Sequence, residues 1–139
     1  MATATYLIDT SAFARLSKPT VAAALAPLVA QARVAICAPV VFELGFSARN
    51  VADHDAIMSR LGAFASIPAT NSDHLRAIEL QRLLAHRAQH RALSLVDALV
   101  AAIAESRGLV VLHYDADFEL LAAITGQQQQ WIVPRGTAD

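Results

Sequence analysis

Apolar residues along this chain come in short blocks, and the spacing of polar positions changes from block to block. TATYLID (3–9) is a brief apolar run that stops at Asp9. VAIC (34–37) and LVVLH (109–113) are β-branched or leucine-rich runs, with the length and makeup of strands covered on both faces. ASIPAT (65–70) holds a brief strand before Pro68, and QWIV (130–133) is a last one. Between them the pattern turns helical. TSAFARLS (10–17), TVAAALAPLVAQA (20–32), PVVFELGFSARN (39–50) and DHDAIMSRLGAF (53–64) are the first four helices. NSDHLRAIELQRLLAHRAQH (71–90), SLVDALVAAIAESRG (94–108) and FELLAAITG (118–126) are the last three. The punctuation agrees: Pro39 suits a first helical turn, Asn71, Ser72 or Asp73 offers a cap, and Gly108 and Gly126 end their helices. Pro27 predicts a kink or break. The QQQQ run (127–130) reads as a loop entering a strand. Strands apolar on both faces that alternate with helices predict an α/β fold, with helices on both sides of a short, mostly parallel sheet. No linker or repeat divides 1–139, so one domain is expected.

Composition changes that picture in one respect. Hydrophobic residues make up 55% of the 139, and mean hydropathy is +0.42. That excess predicts surface covered by a partner or a second copy. It does not predict a membrane span, because no apolar run approaches the roughly 20 residues required. No basic leader opens the chain, whose first cation is Arg15, so a cytoplasmic protein is expected. Cys37 is the sole cysteine and reads as a buried thiol.

Only 17% of residues are charged, which draws attention to where the acids fall. Asp9 ends the first strand, and Asp115 follows the strand 109–113 by two residues. In parallel sheets, sites lie beyond the carboxyl ends of strands. If those two strands are neighbours, the two carboxylates share one crevice. Each acid also has a local reading. Asp9 can cap a helix, and Asp97 can complete a capping box with Ser94. Asp115 and Asp117 can favour the start of the following helix, with Glu119 in its first turn. Glu43, inside VVFELGF, has apolar neighbours on every side. Taken together, Asp9, Glu43, Asp97 and Asp115 are the acids embedded in or ending apolar segments. Four carboxylates converging without Lys or Arg repel one another, and some of their pKa values rise. A divalent cation relieves that repulsion, and oxygen-only ligands suit Mg²⁺ or Mn²⁺. Such an ion supports in-line displacement at phosphorus.

YLIDTSAF (6–13), Glu43 in a following helix, LSLVDALVAAIAESRG (93–108) and VVLHYDADFELLA (110–122) resemble the PIN-domain ribonucleases, and most of all the VapC toxins of bacterial toxin–antitoxin pairs. The resemblance runs nearly the whole length, in the family's order and spacing. It implies a three-layer α/β/α fold and metal-dependent endonucleolytic cleavage of RNA at Mg²⁺ or Mn²⁺. It also implies a homodimer and a cognate VapB-type antitoxin. The family's acidic quartet falls on Asp9, Glu43, Asp97 and Asp115, of which Asp9, Asp97 and Asp115 are the expected metal ligands. Asp117 matches the further Asp of the D-x-D-F pattern, as an acid behind the ligands or a ligand of a second ion. Thr10 and Ser11 match the small polar residues after the first Asp. His113 is a departure, since many PIN domains carry Thr or Ser there. It can supply a hydrogen bond or face the core.

The charge count fits that implication. Setting the five candidate acids aside leaves seven acids against 11 basic residues, so a near-neutral total conceals an acidic pocket with a basic surround. Arg82, His86 and His90 fall on one face of the long helix, as an ordinary solvated face or a phosphate-contacting ridge. VAAALAPLVA (21–30) and AIMSRLGAF (56–64) are candidates for the dimer or antitoxin surface. Rival readings fit less well. A phospho-receiver needs a Lys at a far strand, and the only Lys is Lys18. A haloacid-dehalogenase phosphatase needs D-x-D where this chain has DTS, and a zinc hydrolase needs clustered His. A PIN-like module that only docks a partner is the alternative from another class.

Overall fold

The computed structural model describes residues 4–139; Thr3, the first residue of the first predicted strand, lies outside the described residues. The strands are β1 (Tyr6–Ile8), β2 (Val34–Cys37), β3 (Ala65–Ile67), β4 (Val110–His113) and β5 (Gln129–Trp131). The helices are α1 (Thr10–Phe13), α2 (Pro19–Ala30), α3 (Ala38–Phe46), α4 (Val51–Leu61), α5 (Asn71–Ala85), α6 (Leu95–Ser106) and α7 (Asp117–Thr125).

All five strands pair in parallel, in the order β3, β2, β1, β4, β5. The chain builds outward from β1 to β2 and β3, then returns to lay β4 on the other side of β1. The reversal leaves a crevice between β1 and β4 at their carboxyl ends. Their register sets Ile8 opposite Leu112, which brings Asp9 and the residues after His113 to that crevice. Right-handed crossovers put helices from the two halves on opposite faces of the sheet. Contacts of α3 with α1 and α4, and among α5, α6 and α7, fit that three-layer arrangement, with α3 and α6 also meeting.

The central strands earn their position through burial. Leu7, Ile8, Val111 and Leu112 are fully buried, each side chain contributing about 1.5–3 kcal/mol. Helix α6 is buried continuously from Ala98 to Ala104. Its small alanines let it lie close against β1 and β4 while touching α3, α5 and α7.

Several expected boundaries move, for local reasons. Pro27 sits inside α2 without ending it. Ala23, whose carbonyl Pro27 leaves without a donor, is on the exposed side with it, where water can serve that carbonyl. The predicted helix 71–90 stops at Ala85. Ala88 turns left-handed at φ 56°, and the Gln89 N–H donates to the Leu84 carbonyl at 2.9 Å. That is a glycine-type helix stop made with alanine. His90 therefore lies in a separate 3₁₀ turn, His90–Ala92. Helix α3 ends at Phe46, where the Ser47 hydroxyl donates to the Leu44 carbonyl (2.6 Å). Asn50 then caps α4 through the Asp53 N–H.

One buried acid is structural. Asp73 completes a capping box with Thr70: its Oδ2 accepts the Thr70 N–H (2.8 Å), and the Thr70 hydroxyl accepts the Asp73 N–H (3.2 Å). The same carboxylate accepts the Ser106 hydroxyl (3.1 Å) and pairs with Arg107 (3.2 Å). Arg107 also donates to the Pro68 carbonyl (3.0 Å). Burial pushes the Asp73 carboxyl up, but bonds from Thr70, Arg107 and Ser106 outweigh it and hold the pKa below its ordinary 3.8. The cluster ties the start of α5 to the end of α6. Arg107→Ala strands that carboxylate, so urea unfolding at pH 7 should show a loss of about 3 kcal/mol, the lower end for a broken buried pair because Arg107 is partly exposed.

Candidate active site

Asp9 caps α1. Its Oδ2 accepts the Ser11 N–H at 3.0 Å, while Oδ1 is buried with no hydrogen-bond partner, as is the Thr10 hydroxyl. The local cap and the buried acid are thus the same residue using different oxygens. Only 2% of Asp9 is exposed. Burial pushes its pKa above 3.8, and the charges of Asp115 and Glu43 add to the rise.

Asp97 lies in the first turn of α6. Its N–H donates to the Ser94 hydroxyl at 3.1 Å, so Ser94 caps the helix. The reciprocal bond that Asp73 makes to Thr70 has no counterpart among the hydrogen bonds of Asp97. Burial pushes the Asp97 pKa up to about 7; the charges of Asp9 and Asp115 also raise it, and Ser94 pulls the other way. Asp117, at the start of α7, is raised by burial and then by the neighbouring Asp115.

The loop carrying Asp115 is pinned by side chains. The Tyr114 N–H donates to the Ser11 hydroxyl (2.9 Å), the Asp115 N–H to His113 Nδ1 (3.0 Å), and the Asp117 N–H to Asp115 Oδ1 (2.9 Å). With Nδ1 accepting, the His113 proton sits on Nε2, which donates to Gln129 Oε1 (2.5 Å). The ring is fully buried between Phe118 and Trp131, and burial lowers its pKa. His113 both faces the core and accepts an amide bond two residues on, as a Ser or Thr side chain can in such turns.

These elements bring one carboxylate oxygen each from Asp97, Asp115 and Asp117 within 4.8 Å of one another. Asp9 stands beside that triangle, close enough for its charge to raise Asp97. Glu43, half-buried on α3, acts on Asp9. Among the described residues, no cation forms an ion pair with any of the five acids. Oxygen donors only, an orphaned buried oxygen and the raised pKa values of Asp9, Asp97 and Asp117 together fit a divalent cation. Asp97, Asp115 and Asp117 can hold it, with the buried, unpartnered Oδ1 of Asp9 nearby.

Glu119 does belong to the helix start: it lies in the first turn of α7 and accepts the Trp131 indole N–H at 2.7 Å. Arg82, His86 and His90, expected to share one helical face, do not. Arg82 is paired with Glu79 (2.7 Å) and bonded to His86 (2.9 Å), and His90 has left the helix. Sequence reasoning also missed the cations that do flank the acids. Arg15 packs over Tyr114, and Arg135 lies near Trp131. Nothing in their spacing marks them, because they are 120 positions apart and meet only through the β1–β4–β5 pairing.

A parallel sheet with acids gathered at its switch point is the PIN arrangement, and the chain belongs to the PIN domain family, whose sequence profile matches residues 6–124. Within that family its relatives carry the name VapC. It is 52% identical over 134 residues to Ribonuclease VapC51 of Mycobacterium tuberculosis, covering 96% of this chain and 97% of that one. It is 40% identical to Ribonuclease VapC18 of the same organism, covering 95% and 98%. The structure superposes on a chain from DNA-bound VapBC of Salmonella typhimurium with a TM-score of 0.77 at 19% identity, covering 94% of this chain and 100% of that one.

Two outcomes follow from this geometry. Asp97 titrates near 3.8 when unfolded and about 7 when folded, so between those values the folded chain holds a proton the unfolded chain has released. Metal-free stability should therefore fall as pH rises from about 4 through 7. Thermal melts in EDTA should show that slope, and Asp97→Asn should flatten it. Ser94→Ala should keep the slope and cost about 1 kcal/mol of cap.

The second outcome concerns His113. His113→Leu keeps the bulk but removes the acceptor that orients Asp115, and Mn²⁺ affinity by calorimetry should drop about 10-fold or more. His113→Asn, whose Oδ1 replaces Nδ1, should recover most of it. Equal affinities for Leu and Asn would remove this role from His113.

Proposed function

We propose that this chain is a divalent-metal-dependent endoribonuclease, the toxin of a type II toxin–antitoxin pair, acting in the cytoplasm as one domain. The observation that carries the reading is the uncompensated carboxylate cluster at the switch point, with Asp97 held protonated up to about pH 7. Relatives named ribonuclease at 52% and 40% identity support it. A docking-only module has no use for a cluster that opposes folding when it is empty.

Mg²⁺ or Mn²⁺ is the proposed ion, bound by Asp97, Asp115 and Asp9, with Asp117 completing the site. When bound, such an ion supplies charge stabilisation at phosphorus and acidifies water. The chain's own residues do the rest. Buried Asp9 lends negative charge and an acceptor oxygen, Ser11 and His113 hold the 114–117 loop, and Glu43 adds an acceptor at the edge.

The proposed partners are RNA, a VapB-type antitoxin and a second copy. Phe13, Leu16, Leu25, Val29 and Phe64 line an apolar groove of about 440 Å³ between α2 and α4, which joins the two segments expected to form an interface. Phe42 and Phe46 on α3 are 79% and 85% exposed, which supports a further covered face. No described helix is long and apolar enough to cross a membrane.

Purified protein should cleave single-stranded RNA with Mg²⁺ or Mn²⁺ and stop in excess EDTA. Asp97→Asn should lose on the order of 10²-fold in rate while its metal-free melting temperature holds or rises. Undiminished cleavage in EDTA would sink the metal-dependent reading.

A further inference from the structure

On the Tyr114 side of the acids, the fold keeps cations that the acids do not use. Arg15, Tyr114, Asp115, Trp131, Arg135 and Asp139 line a hollow of about 350 Å³, and Asp115 is the wall it shares with the carboxylate triangle. Arg15 is immobilised there without being neutralised. Its Nη1 donates to the Ser11 carbonyl (2.8 Å) and its Nε to the Ala138 carbonyl (3.1 Å). The guanidinium lies 4.5 Å above the centre of the Tyr114 ring. All three partners are uncharged. Arg135 is exposed, 5.7 Å from the centre of the Trp131 ring. Arg76, Arg82 and Arg107 serve the fold differently, since each meets a carboxylate within 3.2 Å. Neither Arg15 nor Arg135 has an ion pair among the described residues. Asp139, in the same hollow, accepts the Tyr114 hydroxyl at 2.8 Å.

Opposite charges share this hollow and its rim without pairing. The ring contacts and carbonyl bonds aim the arginines, yet leave their charge available. Acids kept free for a cation, beside arginines kept free for an anion, suit a ligand that brings both needs together. A nucleic-acid strand does so. One phosphodiester meets a cation at the acids, and the next along the strand enters the hollow whose wall Asp115 forms.

We propose that Arg15 and Arg135 form a phosphodiester subsite for the nucleotide adjoining the cleaved bond of single-stranded RNA. The inference rests on the ribonuclease reading above and adds the path of the strand, past Asp115 toward Tyr114 and Trp131. Arginine suits the task because its planar fork can hold two phosphate oxygens while its face rests on an aromatic ring.

The test is binding, separate from cleavage. A fluorescein-labelled 2′-O-methyl phosphorothioate oligouridylate of about a dozen nucleotides, resistant to cleavage, is titrated by anisotropy with Mn²⁺ across a range of KCl. Each lost phosphate contact should make the log affinity against log salt slope shallower by about 0.7 for a single strand. Arg135→Ala and Arg15→Gln should each show that change and weaken binding several-fold at low salt. Gln retains a donor for the carbonyls, and melting temperatures check the fold. Arg87→Ala, on an exposed residue outside the hollow, should leave the slope as in wild type. Wild-type slopes in both hollow variants would overturn the subsite and leave the ribonuclease reading standing, as would an equal change in Arg87→Ala. So would variants that lose affinity for polyglutamate but keep RNA. A wild-type protein that neither binds nor cleaves RNA would overturn the ribonuclease reading and the subsite with it.

Discussion

Carboxylates buried without a cation are the constraint on which the rest of this molecule depends. Each such group costs free energy that packing elsewhere must supply. The chain meets that cost with a fully buried parallel core and with α6, whose alanine stretch lies against the two central strands. Asp97 sits on that helix's first turn, so the most tightly packed element of the fold also carries a strained acid. A looser scaffold could let the acids move apart, and the repulsion would relax by distortion instead of by ion binding.

Two first-turn aspartates, Asp73 buried and Asp97 half-buried, show how differently the same side chain can be used. Asp73 has every need met by Thr70, Ser106 and Arg107, and ionises more readily than usual. Asp97 receives a cap at its amide but no cation for its carboxylate, and holds its proton to about 7. Both follow a helix-capping hydroxyl by three residues. The difference lies in what the fold brings to the carboxylate, not in the local motif.

That contrast explains what could be read in advance. Parallel strands apolar on both faces made the sheet legible, and Asp9 and Asp115 at strand ends made the crevice legible. Gly108 and Gly126 marked their helix ends at φ 64° and 71°. The stops after α2 and α5 were hidden because Ala32 and Ala88 adopt the left-handed conformation without glycine to announce it. Resemblance supplied Asp117, which the geometry draws into the triangle in place of Asp9. The capping reading of Asp97 was half right, since Ser94 does cap the helix. The Arg15 and Arg135 hollow was out of reach, because only the sheet order brings its residues together, and the His113 amide contact was hidden because it depends on the ring's tautomer and turn geometry.

The β1–β4 pairing also sets an order of events during synthesis. Asp9 is made early, yet Asp115 and Asp117 follow only after Leu112, the partner of Ile8. A ribosome must release most of the chain before β4 can close against β1, and such distant pairings form late. The half-made protein therefore carries its acids apart, on separate and mutually harmless pieces. Assembly of the cluster coincides with completion of the fold, so an unfinished chain lacks the gathered acids.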